Sequence, residues 1–316
     1  FFLSMLQRPP SATLIPYTTL FRSIPFGPIG LQVFKRTYSL KMADGRDEQW
    51  PDTVNRVVNG NLALVPEAFH EPDEREKLIG LLLEFAIMPA GRHLNSSGVK
   101  GRQFLFNCHA AGYDYAEPWA HFAFTFDVLM QGGGAGSNYS NRYLNNLPPV
   151  QRPVDLHITC NKEHPNYSEF SHLLSTHQGD DKNVVELVVE DSREGWVSAL
   201  EALCRFAWDE RFSALKEITL VVDVSHIRHR GAPLKTSGGI ACGPGPLVEL
   251  LTDFSRHLNG CVGRRLTSLD TMTLDHHIAE GVVAGGKRRS SRISVKNWAD
   301  PDIMEFINCK RVDGAH

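Results

Sequence analysis

The stretch RQFLFNCHAAG, residues 102–112, is the segment around which the rest of the chain can be organised. It places Cys108 directly behind the apolar run Phe104-Leu105-Phe106, a pattern typical of a buried strand. A thiol at the end of such a strand would be held rigidly and would face the cavity in which the strand ends. Most free cysteines are small buried hydrophobic residues, so this stretch alone leaves both a packing role and a redox role open for Cys108.

A glycine cluster, GGGAGSNYS at residues 132–140, follows about twenty residues later. It comes after the apolar helix predicted over 117–130 rather than after a strand, and it lacks the lysine of a phosphate-binding loop. The cluster is therefore predicted to be either a tight turn or a place where the backbone approaches a ligand closely.

A longer loop, residues 223–246, lies between the apolar run ITLVVDV and a helix that begins near Leu247. Ligands of open α/β sheets and barrels bind beyond the carboxyl ends of strands, and the free N–H groups of a helix start suit an anion. Arg228, Arg230 and Lys235 would add positive charge to such a site. A solvated basic loop is the plainer alternative.

The basic cluster GGKRRSSR, residues 285–292, is predicted to contact phosphates or only to cap the preceding helix.

Composition favours a soluble globular protein, with 42% hydrophobic residues, 22% charged residues and a net charge of −3 over 316 residues. Neither nucleic acid nor a membrane is expected as a partner, because no basic excess and no long apolar run is present. The six cysteines show no CxxC spacing, which argues against a zinc site and a disulfide scaffold and favours a reduced, cytoplasmic setting. Asp275, His276 and His277 are interpreted as the polar face of a helix, so no metal site is predicted.

The chain is predicted to contain a helical region followed by a mixed α/β region. Residues 1–23 match neither a signal peptide nor a periodic element and are interpreted as an artefact or a disordered segment. Residues 24–100 are predicted to be helical after a turn-rich start that forbids a long helix, with one helix closed by Gly60. In residues 101–316 helices alternate with strands, which favours a mainly parallel sheet or barrel. The predicted strands are 183–190, 218–224 and 291–295. A helix is predicted to open at DSREGW, with Asp191 or Ser192 as its cap, and to run to about Trp208. Further helices are predicted over 246–258, 268–283 and 301–309.

From Ile24 onward the sequence resembles adenosylcobalamin-dependent (class II) ribonucleotide reductases, in particular the monomeric ribonucleoside-triphosphate type. The similarity is carried in order by IPFGPIG, RTYSLKM, VNRVVNGNL, MPAGRHL, RQFLFNC, LMQGGGAG, DSREGW, DVSHIRHRGAPLKTSGGIACGPGPL and VVAGGKRRSS. Nine strings in the family's order make chance similarity implausible.

The resemblance implies a fold and a set of site residues. The family folds as a ten-stranded α/β barrel of two five-stranded halves, so residues 101–316 are expected to form the first half. Cys108 matches the first member of the cysteine pair that supplies two electrons and becomes a disulfide. Asn107 matches the residue beside the ribose, Ser96 and Ser97 border the substrate, and the glycine loop near the base corresponds to Gly132, Gly133, Gly134 and Gly136. Aromatic residues around Cys108 are expected to exclude water.

The resemblance also implies partners. These are adenosylcobalamin as cofactor, a ribonucleoside triphosphate as substrate, a deoxynucleotide effector, and a thioredoxin-like or dithiol reductant. The family's NPCGE string, which carries the radical cysteine, the second cysteine of the pair and the catalytic glutamate, does not occur in this sequence. We therefore expect an amino-terminal fragment that is inactive by itself. A non-catalytic nucleotide-binding module, a glycyl-radical enzyme and a class I reductase remain alternatives.

Overall fold

The computed structural model of the protein describes residues 26–99, 106–177, 183–234, 240–282 and 290–310. The predictions for residues 1–23, for Phe104, for Lys235 and for most of the basic cluster 285–292 lie outside these described ranges. The chain divides into two compact units between Leu105 and Phe106, and each unit has a hydrophobic core of its own.

The first unit is helical in its described residues, as the sequence predicts. It contains α1 (Gly27–Thr37), α2 (Trp50–Leu62), α3 (Glu74–Leu83) and α4 (Gly91–Ser96). One apolar face of each helix is buried in a shared core, which includes Phe34, Trp50, Val54, Val57, Val58, Ile79, Leu82 and Leu94. Burial of these faces stabilises helices whose individual lengths would be marginal in water.

Two details of this unit correct the sequence-based expectations. The turn-rich start does not prevent a helix, since α1 runs for 11 residues from Gly27 with Pro28 in its first turn, where the missing N–H of proline costs nothing. Gly60 does not close α2, which continues to Leu62. A Cβ at Gly60 would lie 2.1 Å from the backbone nitrogen of Gly98, so close packing of the two backbones is what requires glycine there.

The second unit contains two separate three-stranded parallel sheets among its described residues. One has the strand order β1 (Cys108–Ala111), β2 (Gly134–Asn138), β6 (Ser291–Val295). The other has the order β3 (Val154–Thr159), β5 (Ile218–Asp223), β4 (Val184–Val188). The mixed α/β class with parallel strands is therefore as expected. A ten-stranded barrel is not seen in the described residues.

Helices cover these sheets. They are α5 (Trp119–Met130), α6 (Asn141–Leu144), α7 (Tyr167–Phe170), α8 (Arg193–Trp208), α9 (Gly245–Asn259), α10 (Ser268–Gly281) and α11 (Ile303–Asn308). Helix α5 packs against α8, and α9 packs against α10. The core beneath them includes Phe122, Phe126, Leu200, Leu203, Leu220, Val222, Leu247, Leu251 and Phe254. None of the described helices is both long enough and apolar enough to cross a membrane.

Sequence periodicity located most of these elements to within two or three residues at each end. Helix α8 begins as predicted, since the Ser192 hydroxyl accepts a hydrogen bond from the Gly195 N–H at 2.9 Å. The central strand β5 is mostly buried, in agreement with its continuous apolar run. Two strands were not predicted, β2 and β3. Strand β2 has the sequence GAGSN, which has low strand propensity, and it is ordered by pairing with a neighbour on each side.

Candidate functional site

Cys108 begins the edge strand β1 and lies beside the glycine-rich strand β2. In the parallel register Cys108 is opposite Gly134, and Gly134 is opposite Ser291 of β6. The Gly134 N–H donates to the carbonyl oxygen of Asn107 at 2.6 Å, which fixes the backbone just before the cysteine. The thiol and the glycine strand predicted to form one site are therefore adjacent in the structure.

The β1–β2–β6 sheet has one covered face and one open face. Side chains alternate across a strand, so positions opposite each other in the register share a face. The covered face carries the buried residues Ala111, Ala135 and Ser137. The open face carries Cys108, Ala110, Gly134, Gly136, Ser291, Ile293 and Val295, and all of these except the two glycines are exposed. The thiol thus stands at one margin of an open surface, which we call the open face.

The glycines of β2 keep the middle of the open face free of side chains. Gly132, in the turn before the strand, has φ +76°, a conformation that favours glycine. The backbone conformation at positions 134 and 136 does not require glycine. A Cβ at Gly136 would meet nothing nearer than 3.5 Å, and one at Gly134 would lie 3.1 Å from the Asn107 oxygen. The protein fold by itself therefore tolerates a small side chain at Gly136, and a flat ligand would explain why none is present.

The described residues beside the thiol do not form the expected aromatic shield. Phe106 is 77% exposed, and Cys108 is exposed as well. The second predicted shielding residue, Phe104, lies outside the described residues. The physical reason is that, among the described residues, no layer opposes the open face of this edge strand, so the Phe106 ring has nothing to pack against.

A buried polar network supports the covered face of the same sheet. The Asp275 carboxylate of α10 accepts hydrogen bonds from Tyr139 Oη at 2.5 Å and from His121 Nε2 at 3.0 Å. Arg292 of β6 donates to the Tyr139 hydroxyl at 2.5 Å and lies 3.5 Å from the same carboxylate oxygen. His121 Nδ1 faces the Gly112 carbonyl oxygen at 2.9 Å. Both ring nitrogens of His121 therefore lie within hydrogen-bond distance of an oxygen atom.

This network overturns the interpretation of Asp275 as part of an exposed helix face. Asp275 is 0% exposed, whereas its neighbours His276 and His277 face Glu280 near the surface. Burial by itself would raise the pKa of Asp275, but the charges of His121 and Arg292 and the hydrogen bonds from His121 and Tyr139 bring it below its ordinary value. Burial and the charge of Asp275 raise the pKa of Tyr139.

Ser96 and Ser97, predicted to border a substrate, lie at the end of α4 in the first unit. Ser97 is 0% exposed, and its hydroxyl accepts a hydrogen bond from Asn61 Nδ2 at 3.1 Å. The Ser97 carbonyl oxygen accepts from Arg56 Nη1 at 2.7 Å, and Arg56 is itself paired with Glu48 at 2.6 Å. The hydroxyl of Ser97 is thus engaged within its own unit, while Ser96 is half-buried.

The two arginines in the described part of the long loop after β5 are both paired with carboxylates, so neither supplies the free positive charge that the sequence suggested. Arg228 pairs with Asp191 at 2.8 Å, and Arg230 pairs with Glu169 at 2.8 Å. At the basic cluster, the Ser290 hydroxyl bonds the carbonyl oxygens of Ala279 and Val282, which caps the end of α10. Arg292, the last arginine of that cluster, donates a hydrogen bond to Tyr139 in the buried network.

Comparison with known protein families identifies two segments of the chain. Residues 16–99 match the family model described as the ribonucleotide reductase alpha domain. Residues 154–258 match the model described as the insertion domain of B12-dependent ribonucleotide reductase. The second segment contains the whole β3–β5–β4 sheet together with α8 and nearly all of α9.

Individual relatives agree with the family models. A protein of Mycobacterium phage D29, named as an adenosylcobalamin-dependent ribonucleoside-triphosphate reductase, is 45% identical over 93% of this chain. The enzyme of that name from Levilactobacillus brevis is 32% identical over 90% of the chain. A crystal structure of a B12-dependent (class II) ribonucleotide reductase superposes with a TM-score of 0.79 at 28% identity, covering 90% of this chain.

Over about nine tenths of its length the chain matches adenosylcobalamin-dependent (class II) ribonucleotide reductases. It spans 43% of the length of the two curated relatives and of the solved structure. The described residues present an open three-stranded surface beside Cys108 rather than an enclosing cradle for a corrin ring.

Proposed function

We propose that this chain supplies the reducing thiol and part of the nucleotide surface of an enzyme that converts ribonucleoside triphosphates to 2′-deoxyribonucleotides. The observation that carries the proposal is the position of Cys108 opposite Gly134, at the margin of the open face. Adenosylcobalamin is the cofactor for which the relatives are named, and it would supply the radical chemistry when bound.

The proposed reaction is a two-electron reduction at the ribose. Two thiols are oxidised to one disulfide, and they give up two electrons and two protons. The C2′–OH bond is replaced by a C2′–H bond, and the hydroxyl leaves as water. Cysteine is suited to this role because thiols interconvert reversibly with a disulfide, which serine cannot do. Cys108 is one of the two thiols in this proposal, and its exposure leaves it accessible to substrate and partner thiol.

The geometry also supports roles for neighbouring residues. Asn107, exposed just before the thiol, would contact the ribose, and Gly132, Gly133, Gly134 and Gly136 would let the nucleotide approach the backbone. Ser96 is the better candidate of the serine pair for a substrate contact, because the Ser97 hydroxyl is engaged by Asn61. Asp275, Tyr139, His121 and Arg292 would hold the sheet from behind without touching the substrate.

Further parts of the proposal depend on the family. We propose a deoxynucleotide effector, a thioredoxin-like or dithiol reductant, and a cytoplasmic location. We also keep the division into residues 1–23, the helical region 24–100 and the reductase region 101–316. The class I and glycyl-radical alternatives are less well supported, because the matched insertion domain and the named relatives are all of the B12-dependent class. A nucleotide-binding module without redox chemistry remains the competing candidate.

A hybrid enzyme tests the proposal. Residues 26–310 would replace the matching segment of the phage D29 relative, and deoxynucleotide formation would be measured with adenosylcobalamin and a dithiol. We expect Cys108→Ser to abolish multiple turnover and Cys160→Ser, at the end of β3, to leave it largely intact. A Cys108→Ser hybrid that turns over like the parent hybrid would favour the binding-module alternative.

A further inference from the structure

Three metal-binding side chains converge at the free edge of the second sheet, far along the chain from Cys108. Asp155 and His157 lie two residues apart on β3, so both side chains project from the same face of that edge strand. After β3 the chain passes through α7 and a short 3₁₀ turn, and at His177 it comes back beside Asp155 and His157. One ligand atom from each of the three residues lies within 4.8 Å of those from the other two.

The geometry of the three residues is close to that of a coordination sphere. The rings of His157 and His177 have centres 5.4 Å apart with an interplanar angle of 63°. Two imidazoles on one tetrahedral ion, with metal–nitrogen bonds of about 2.0 Å, would have ring centres about 5 Å apart. Asp155 Oδ2 lies 2.9 Å from His157 Nε2, a hydrogen bond that a bound ion would replace. Only small side-chain rotations would bring all three donors onto one ion.

Neighbouring residues orient the His157 ring of the cluster. The second ring nitrogen of His157, Nδ1, lies 3.0 Å from the Ser175 hydroxyl. The Ser175 N–H donates to the Ile158 carbonyl oxygen at 3.0 Å, which fixes the segment before His177 against β3. Metal-bound histidines almost always have such an oxygen partner on their other nitrogen, because it fixes the ring and its tautomer.

A second cluster with suitable residue types, His257, Cys261 and Asp270, is already occupied by a protein cation. Arg264 donates to Asp270 at 2.5 Å and to the Cys261 sulfur at 3.2 Å, where a metal ion would have to lie. Burial raises the pKa of the Cys261 thiol to about 12, so the thiolate that a metal requires is disfavoured. The arginine–aspartate pair also lines the 400 Å³ cavity beside this cluster.

We propose that Asp155, His157 and His177 bind one divalent transition metal ion of the Zn²⁺ type. Two imidazoles and one carboxylate are a donor set that such ions accept, and three protein ligands leave a position open for water or an anionic ligand. The ion would tie His177 to the edge of β3 and so close the loop formed by the residues between them. The proposal is independent of the reductase chemistry, although the site lies in the segment that matches the insertion domain. No metal site was predictable from the sequence here, because these ligands are not clustered along the chain.

Metal binding to the tag-free, chelator-stripped chain tests this proposal. Zn²⁺ affinity and stoichiometry would be measured by competition with a chromogenic chelator, and Co²⁺ would serve as the spectroscopic probe. We expect one tight equivalent and at least about a tenfold loss of affinity in His157→Ala, in His177→Ala and in the near-isosteric Asp155→Asn. His172→Ala is the matched control, because His172 is exposed five residues before His177 and lies outside the cluster.

Each outcome decides the matter. Loss of affinity in the three ligand variants with retention in His172→Ala supports the site, provided that circular dichroism shows the metal-free variants folded like the parent. An unaltered affinity in His157→Ala and His177→Ala would overturn it. A thiolate-to-cobalt charge-transfer band that disappears in Cys261→Ser would place the ion at the other cluster and would equally overturn it.

Discussion

The hydroxyl of Tyr139 donates a 2.5 Å hydrogen bond to the carboxylate of Asp275, which lies 136 residues later in the chain. Tyr139 follows the glycine strand β2 and Asp275 lies on α10, so this contact fastens the back of the sheet to the helix that covers it. His121 from α5 and Arg292 from β6 complete the network. Four elements thus depend on one carboxylate with no exposed surface.

Loss of the Asp275 charge should destabilise the second unit strongly. In Asp275→Ala the buried His121 and Tyr139 lose their acceptor and Arg292 loses its nearby carboxylate. Removal of one partner from a buried ion pair costs about 3–5 kcal/mol. Denaturant unfolding of the purified chain would measure the difference. The adjacent variant His276→Ala is the control, and we expect it to lose less than about 1 kcal/mol because its surface pair with Glu280 is weak. Equal losses in the two variants would contradict the proposed role of the network.

The same carboxylate should contribute to acid lability. Its pKa in the folded chain is below the ordinary value of 3.8, so its stabilising contribution is fully present above that value and is lost as the pH falls through the folded pKa. The stability gap between the parent chain and Asp275→Asn should therefore be constant near neutral pH and should narrow below about pH 4. Denaturant midpoints measured from pH 7 to pH 3 would check this. A gap that widens with acid would contradict the direction of the shift.

Two glycines in the first unit should respond in opposite ways to alanine. A Cβ at Gly60 would lie 2.1 Å from the Gly98 nitrogen, whereas a Cβ at Gly80 in α3 would meet nothing within 4 Å. We expect Gly60→Ala to destabilise the unit by about 1–3 kcal/mol through overpacking. Gly80→Ala should stabilise it by up to about 1 kcal/mol, since alanine is the better helix former. Thermal unfolding of both variants would show whether the signs differ.

Gly136→Val should weaken nucleotide binding more than it weakens the fold. Valine suits a strand, and the Cβ position at Gly136 has no neighbour closer than 3.5 Å, but its side chain would cover the open face beside Cys108. Binding would be measured as the protection that a ribonucleoside triphosphate gives Cys108 against an alkylating reagent. The buried Cys204 is the internal control, since it should stay unmodified throughout. Full protection in Gly136→Val would argue against the open face as the nucleotide surface.

The 316-residue chain assayed alone should accumulate no deoxynucleotide. Radical reduction of a ribose needs an acid–base group and a second thiol near the substrate, and the described open face offers only Cys108 with small, hydroxyl or apolar neighbours. The assay would use the isolated chain with adenosylcobalamin, a dithiol and all four ribonucleoside triphosphates, with a complete relative as the positive control. Multiple turnovers by the isolated chain would refute this prediction.

The site was only partly predictable from the sequence. The family motifs singled out Cys108 and the glycine cluster, and the structure brings them together at adjacent strands. Sequence patterns gave no sign that Asp275 is buried or that His121, Tyr139 and Arg292 converge on it, because each lies on a different element. The convergence of Asp155 and His157 with His177 was missed for the same reason. A histidine at spacing i, i+2 from an aspartate is visible in a sequence, but a third ligand that returns after a loop is not.

What the sequence by itself determined is local. Apolar periodicity located α8, α9 and α10, a continuous apolar run located β5, and Ser192 marked the start of its helix through a contact only three residues away. Only the tertiary structure decided that GAGSN is a strand, that Cys108 is opposite Gly134, and that Asp275 is internal. The physical reason is that parallel strands and buried ion networks are held by partners distant in the chain, whose meeting depends on how all the elements pack.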